Sequence, residues 1–298
     1  MQSLSGSRFS GAAYAIGAFT AWGLLPIYWK SFGETPATEI LSHRMVWSFL
    51  FVSLLIALKR RWNEIADIFA NRQSVLILCL TSCIIGLNWL VYIWAVNNGH
   101  IVESSLGYFI NPLVNVLLGT LLLHERLNRN QILAVCLATV GVSISIVKFG
   151  AFPWIALTLA FTFAFYGYLR KIVRVAPLVG LTFEAAVLSP FALCYMAFLH
   201  VREEALFPAG WQTDLLFVGT GVATAIPLIW FAAGARRLRL STLGFIQYIA
   251  PSLQLAVGVF IYKEAFTRIH LVTFGLIWCA LLIYSLDTIR LQRSRFTV

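Results

Sequence analysis

The sequence predicts an all-α integral membrane protein, with ten transmembrane helices arranged as two inverted five-helix repeats. Three observations lead there. Of the 298 residues, 60% are hydrophobic and only 11% charged, with a mean hydropathy of +0.83; an ordinary soluble chain carries about 25% charged residues. The charges fall in short groups, and the uncharged stretches between them approach the roughly 20 residues that a membrane helix needs. A motif in the first half of the chain also returns in the second. Such a composition excludes a soluble enzyme, a nucleic-acid-binding module, a disordered chain and a protein with a single anchor.

Hydropathy places the helices at 9–30, 38–58, 74–97, 103–123, 130–147, 152–169, 177–199, 213–233, 241–262 and 268–288. The connections are short, so no soluble domain is inserted. The longest are Lys59 to Arg72 and His200 to Asp214. In the first, Trp62, Ile65, Ile68 and Phe69 share one helical face, which predicts an amphipathic turn in the membrane interface. The apolar run after Arg8 is too long for a cleavable signal and lacks a small-residue cleavage site.

Of the 22 Lys and Arg, 16 fall on one side of this arrangement, among them Lys59, Arg60, Arg61 and Arg72. Lys30, Lys148, Arg202, Lys263 and Arg268 fall on the other, and Arg44 lies within a span. The excess places both termini in the cytoplasm, and an even number of spans keeps the alternation. The net charge of +10 therefore follows membrane topology. A nucleic-acid partner would need the cations on one folded face. The five cysteines lie in apolar stretches and read as small buried apolar residues rather than ligands or bridges. Cys79 and Cys83 are one helical turn apart, but their uniformly apolar surroundings argue against a redox pair.

The repeated motif divides the chain into residues 1–150 and 151–298. The fourth span reads Asn111-Pro-Leu-Val-Asn115-Val-Leu-Leu-Gly119 and ends in His124-Glu125; the ninth reads Ala250-Pro-Ser-Leu-Gln254-Leu-Ala-Val-Gly258 and ends in Lys263-Glu264. Pro112, Asn115, Gly119 and Glu125 thus recur at Pro251, Gln254, Gly258 and Glu264, each 139 residues on. Ser104–Gly107 and Leu240–Gly244 precede the two copies with a two-residue slip, and Trp22-Gly23 echoes Tyr166-Gly167. Five helices per half make the second half enter the membrane from the opposite side, so the repeats are inverted. That symmetry suits alternating access, because exchanging the conformations of the halves turns an inward-open state into an outward-open one. A duplication retained only for packing is the plainer alternative.

On these motifs the chain resembles the drug/metabolite transporter superfamily, and its EamA-type members in particular. His43-Arg44-Met-Val-Trp47-Ser48, Asn88-Trp89-Leu-Val-Tyr92-Ile-Trp94-Ala-Val-Asn97 and Ser105-Leu-Gly-Tyr-Phe-Ile-Asn111-Pro112-Leu resemble the RarD subgroup over nearly the whole chain. The resemblance implies a secondary carrier or exporter of small molecules in the bacterial inner membrane. The subgroup's name, chloramphenicol-sensitive protein, implies a drug-related permease.

Polar groups within hydrocarbon must face protein, a cavity or one another. Asn88 and Tyr92 lie one turn apart with Trp89 beside them; Tyr108, Asn111 and Asn115 form a stripe; Gln247 and Gln254 share a face. Both repeats put an amide beside a proline, at Asn115 and Gln254. These residues are candidates for the lining of a substrate cavity or, on the plainer reading, for hydrogen-bonding glue between helices, worth about 0.6 kcal/mol per pair. Pro112 and Pro251 fall near mid-span, where a lost backbone donor makes a hinge or a passive kink. Trp22, Trp89, Tyr92 and Tyr166 are placed to stack on a planar or cationic solute.

Arg44 and Glu184 are the costly residues, a central Arg costing about 2.5–3.5 kcal/mol to insert. Aligning Pro36 with Pro177 sets His43 opposite Glu184, each about 10 Å into its helix from opposite membrane faces. His43, Arg44 and Glu184 are therefore candidates for mirrored gates or for proton coupling. Alternatively, Arg44 snorkels outward and Glu184 caps a helix. No Walker-type loop, H-E-x-x-H, paired-aspartate motif or nucleophile elbow is present, so no cofactor, metal or ATP-driven cycle is expected. The expected function is alternating-access transport of a small amphipathic or zwitterionic solute across the lipid bilayer. The competing readings are a sugar-phosphate-type exchanger, which would need more deep cations than Arg44, and a membrane enzyme acting on lipid, which would need clustered acids or histidines. No pattern specifies an oligomeric state.

Overall fold

The computed structural model describes residues 2–123, 127–149, 152–173, 175–208, 210–235, 237–238, 243 and 246–294. His124-Glu125 of the first motif copy lies outside them, as does all of Leu240–Gly244 except Leu243. Among the described residues every regular element is helical: α1 (Gln2–Lys30), α2 (Ala37–Leu58), α3 (Trp62–Phe69), α4 (Arg72–Asn97), α5 (Ile101–Leu123), α6 (Arg129–Phe149), α7 (Trp154–Val173), α8 (Pro177–Val201), α9 (Trp211–Ala235), α10 (Ile249–Ala256) and α11 (Arg268–Ser294). A π-helical turn, Val257–Ile261, continues α10.

Among the described residues eight helices are long and apolar enough to cross a membrane: α1 from Ser10 on, α2, α4, α5, α6, α8, α9 and α11. Of the other two expected spans, 152–169 overlaps α7, and 241–262 overlaps the shorter apolar helix Ile249–Ile261, with residues 241, 242, 244 and 245 outside the described ones. The last turns of α7 carry Tyr166, Tyr168, Arg170 and Lys171, which interrupt its apolar run. The bundle's outer surface is apolar, with Leu54, Leu121, Phe191, Phe260 and Leu282 all more than half exposed. That surface suits lipid and would be costly in water. Cys83, Cys136, Cys194 and Cys279 lie exposed on it rather than buried as expected, and Cys79 is half-buried; all five are free. A thiol is small and apolar enough to face lipid as readily as protein.

Local chemistry sets the helix starts. Pro36 precedes α2 and Pro177 is the first residue of α8, where a missing N–H costs nothing. Asn71 caps α4, its side chain accepting from the N–H groups of Gln73 and Ser74 at 2.9 and 3.3 Å. The start of α5 is capped from elsewhere in the chain: Glu264 accepts from the N–H groups of Ile101 and Val102, both at 2.8 Å. The amphipathic turn expected at Trp62–Phe69 is α3, with Ile68 buried, Ile65 half-buried and Trp62 exposed. Arg61 pairs with Glu64 and holds its carboxyl below the usual carboxylate range.

The two prolines of the repeat behave differently. α5 runs unbroken through Pro112. Pro251 has no N–H to offer Gln247, and the helix is interrupted at Gln247–Tyr248 before α10 resumes.

The helices pair in a definite order. α6 lies along α11, α5 along α7, α1 along α9 and α10, α2 along α8 and α9, and α4 along α7 and α8; α5 also meets α10. Small residues allow the closest approaches. A Cβ on Gly107 of α5 would sit 2.6 Å from the Ala156 carbonyl oxygen of α7, and one on Gly221 of α9 would sit 2.5 Å from that of Trp47 on α2. Both neighbours are backbone, which yields only if the helices separate. Gly221→Val should therefore lower bundle stability by about 1–3 kcal/mol. Gly275→Ala, where nothing lies within 4 Å, should be close to neutral. Thermal denaturation in detergent checks the pair, and equal effects would contradict the packing described.

Candidate functional site

Two buried polar clusters among the described residues contain the predicted charged residues of the spans. The first surrounds Arg44, on the third turn of α2 and only 5% exposed. Its Nε donates to Thr224 Oγ1 of α9 at 3.0 Å, and Thr224 in turn donates to its own helix at Thr220 O. The guanidinium carbon lies 4.0 Å from the Trp89 ring centroid and 5.1 Å from that of Trp29, a cation–π arrangement with α4 on one side and α1 on the other. Tyr28, Tyr92 and Tyr108 lie within electrostatic reach of the charge, and the rings of Tyr92 and Tyr108 meet edge-on at 5.7 Å. Among the described residues no ion pair involves Arg44. Its Nη1, the Trp29 Nε1 and the Tyr92 hydroxyl are buried without a hydrogen-bond partner.

His43, one residue earlier, points elsewhere. Its ring is buried, 4.1 Å from the centroid of Phe217 and 4.9 Å from that of Phe207, which fastens α2 to α9.

The second cluster surrounds Glu184 of α8, 1% exposed. Thr81 of α4 donates to Oε1 at 2.8 Å and Tyr166 of α7 to Oε2 at 3.1 Å, while Arg170 Nε lies 3.7 Å from Oε1. Glu184 thus joins α4, α7 and α8 instead of capping its own helix. Gly180 leaves room for the guanidinium in this position, since a Cβ there would fall 2.0 Å from Arg170 Nη1.

The amides hold helices together. Asn88 donates to Leu159 O at 3.1 Å and to Thr162 Oγ1 at 2.8 Å; Asn111 donates to Ala160 O at 3.0 Å and accepts from Asn115 at 3.1 Å. Gln254 donates to Trp22 O at 3.3 Å. The Asn88 Oδ1 and Gln254 Oε1 acceptors remain buried and unpaired. Trp22 packs against Phe19 and Phe231, Gln247 is half-buried at the helix break, and Asn115 is exposed. Ser105 of α5 donates to Pro251 O at 3.0 Å, joining the two proline segments.

The structure thus gathers Arg44, Trp89, Tyr92 and Tyr108 in one cluster and Glu184 and Tyr166 in another, and puts Asn88, Asn111 and Gln254, but not Asn115 or Gln247, at helix contacts. Trp29, Thr224, Thr81 and Arg170 are participants that the sequence reading did not single out. Trp29 beside Lys30 reads as an interfacial anchor, and Arg170-Lys171 as loop charge. Only the pairing of helices brings them inward.

Beside these clusters an apolar groove of about 280 Å³ runs between the first half of α2 and the second halves of α4 and α8, lined by residues such as Met45, Leu87, Leu90 and Phe191. It lies along the same α4–α8 seam that Thr81 and Glu184 close nearer the helix starts.

The contrast between the clusters is testable. Arg44→Met removes a charge that has no counter-ion and should leave stability unchanged or raise it by about 1–4 kcal/mol. Glu184→Leu takes the shared acceptor from Thr81, Tyr166 and Arg170 and should cost about 1–3 kcal/mol. Thermal unfolding of both variants in detergent checks this; a marked loss in Arg44→Met would reveal a partner for the guanidinium.

Residues 9–147 match the EamA-like transporter family. Similar proteins include a Vibrio cholerae protein named only as an uncharacterized transporter, 46% identical over 94% of this chain and 93% of its own length. The uncharacterized transporter YojE of Bacillus subtilis is 43% identical over 95% of this chain and 96% of its own length. Protein RarD of Escherichia coli K12 is 44% identical, again over 95% and 96%. A solved structure described only as the crystal structure of a protein superposes with a TM-score of 0.61 at 20% identity, over 95% of this chain and 99% of that one. That likeness is one of fold. Two of these relatives are named as transporters, and the apolar helices require a bilayer. This multi-pass membrane transporter belongs to the EamA-like family of the drug/metabolite transporter superfamily, alongside its RarD relatives.

Proposed function

We propose that the chain is a secondary carrier or exporter that moves a small amphipathic or zwitterionic metabolite or drug-like solute by alternating access. Its ten spans form two inverted repeats, residues 1–150 and 151–298, with both termini on the cytoplasmic side of a bacterial inner membrane. The observation that carries this reading is the order of helix pairing. Exchange α1 with α7, α2 with α8, α4 with α9, α5 with α10 and α6 with α11. The contacts α6–α11, α2–α8 and α5–α10 then map onto themselves. Contact α5–α7 becomes α10–α1, α1–α9 becomes α7–α4, and α2–α9 becomes α8–α4. An unrelated second half would have no reason to reproduce the pairings of the first. The family match over residues 9–147 alone supports the same division.

Under this exchange, the His43–Phe217 contact on the α2–α9 seam corresponds to the Glu184–Thr81 contact on the α8–α4 seam. We assign the two contacts to opposite gates. The cytoplasmic one is the Glu184 latch; His43, between Phe207 and Phe217, closes the outer one, with Arg44 facing the path beside it. The path runs past Trp89, Tyr92, Tyr108 and Tyr166, with the amide stripe lining it and Pro112 and Pro251 as the flexing points. Glu184 also carries proton coupling, because protonation removes the charge that faces Arg170 and turns one of the oxygens met by Thr81 and Tyr166 into a donor.

Two experiments test the proposal. Single cysteines replacing Arg61 or Arg237 should react only with a cytoplasmic reagent, and ones replacing His100 or Glu203 only with an external one. Labelling of all four from one side would sink the inverted arrangement. In liposomes, Glu184→Gln should raise the cytoplasmic accessibility of a cysteine at Asn115 and abolish the pH dependence of uptake while exchange persists. Unchanged accessibility would reduce Glu184 to an anchor, and retained pH dependence would remove its proton role alone.

A further inference from the structure

The groups left unsatisfied around Arg44 share one chemical character. An arginine nitrogen and an indole N–H can only donate, and a tyrosine hydroxyl can donate. Arg44 Nη1, Trp29 Nε1 and Tyr92 Oη are buried with nothing to receive them. The guanidinium between Trp29 and Trp89 has Thr224 as its hydrogen-bond acceptor and no carboxylate beside it among the described residues. Glu184 is engaged by Thr81, Tyr166 and Arg170. A buried cation is costly unless paired, so what completes this cluster is an acceptor that carries negative charge.

We infer that Arg44 is the anchor for the carboxylate of a monoanionic solute whose planar apolar body packs against Trp89, Tyr92 and Tyr108. This inference rests on the carrier reading above and narrows its substrate class. A planar guanidinium matches a carboxylate by two parallel hydrogen bonds. Trp89 and Tyr108 are half-buried rather than fully enclosed. A phosphate dianion would call for further cations. The nearest lysine in sequence, Lys30, instead donates to Asn97 O at 3.0 Å. A zwitterion would bring an ammonium group to a place with no carboxylate to meet it, and a cation would meet Arg44 directly. The preferred solute is therefore an anion rather than an amino acid or an amine.

The test uses four probes of one shape: 3-phenylpropanoate, its amide, 3-phenylpropylamine and phenylalanine. Each competes against labelled 3-phenylpropanoate for the full-length protein in lipid nanodiscs. The carboxylate should bind saturably and at least about tenfold more tightly than the amide, the difference expected of one charge-assisted contact; the amine and the zwitterion should compete weakly. Arg44→Gln should erase this discrimination, and Arg44→Lys should keep part of it, with thermal unfolding of both variants confirming that they fold. Binding of the amide or amine as tight as that of the carboxylate overturns the inference. So does unchanged discrimination in Arg44→Gln, or absence of carboxylate binding. Flux in liposomes separates the two levels: saturable uptake of neutral or cationic solutes, uninhibited by the carboxylate, refutes the anion site and leaves the carrier intact. Absence of saturable flux for every solute counts against the carrier itself.

Discussion

A polar group inside hydrocarbon has no water to turn to, so each one buried in this chain must be answered by another part of the protein. The helix contacts are built on that requirement. Asn88 and Asn111 both donate to the α7 backbone, from α4 and α5, and Ser105 and Gln254 fasten the segment around Pro251 to α5 and α1. Glu264 answers two N–H groups at the start of α5 that would otherwise be orphaned. Each bond is modest in a membrane, but together they fix which helix lies beside which. Arg44 Nη1 is one of the buried groups left unanswered, as are the Trp29 Nε1 and the Tyr92 hydroxyl, and the chemistry proposed for the site follows from that deficit.

Packing adds a second constraint. Lipid is as apolar as leucine, so helices gain little by hiding side chains and must instead fit closely. Gly107 and Gly221 let backbone approach backbone across α5–α7 and α2–α9. Gly180 serves a different end by opening a path for the Arg170 side chain. These seams are rigid where backbones touch and looser where the 280 Å³ groove separates α4 from α8.

Much of this was legible in the sequence. Composition and charge spacing gave the membrane class, and the apolar runs located most of the helices to within a few residues, the expected span 241–262 being the clearest exception. The recurrence of Pro112, Asn115 and Gly119 at Pro251, Gln254 and Gly258 marked two segments, α5 and α10, that lie against each other. His43, Arg44 and Glu184 stood out because a charge in hydrocarbon needs a reason. Their partners did not stand out. Arg170 reads as a loop cation, Trp29 as an interfacial anchor and Thr81 as an ordinary helix residue, because each acquires its role only from a helix distant in sequence. The unlike behaviour of Pro112 and Pro251 was equally hidden, since hydropathy records neither hydrogen bonds nor breaks in them.

The central claim is that the two seams exchange roles, the outer half of α4–α8 opening when the inner half of α2–α9 closes. Spin-label distances measure this directly in liposomes, in a chain whose five native cysteines are replaced. One pair, at Leu87 and Phe191, spans the groove; the other, at Leu54 and Ile229, spans α2 and α9 toward their C-terminal ends. Adding a solute carried in the flux assay should shift the two distance distributions in opposite senses, one lengthening as the other shortens. Two distances that stay fixed, or that lengthen and shorten together, would contradict exchange between the halves.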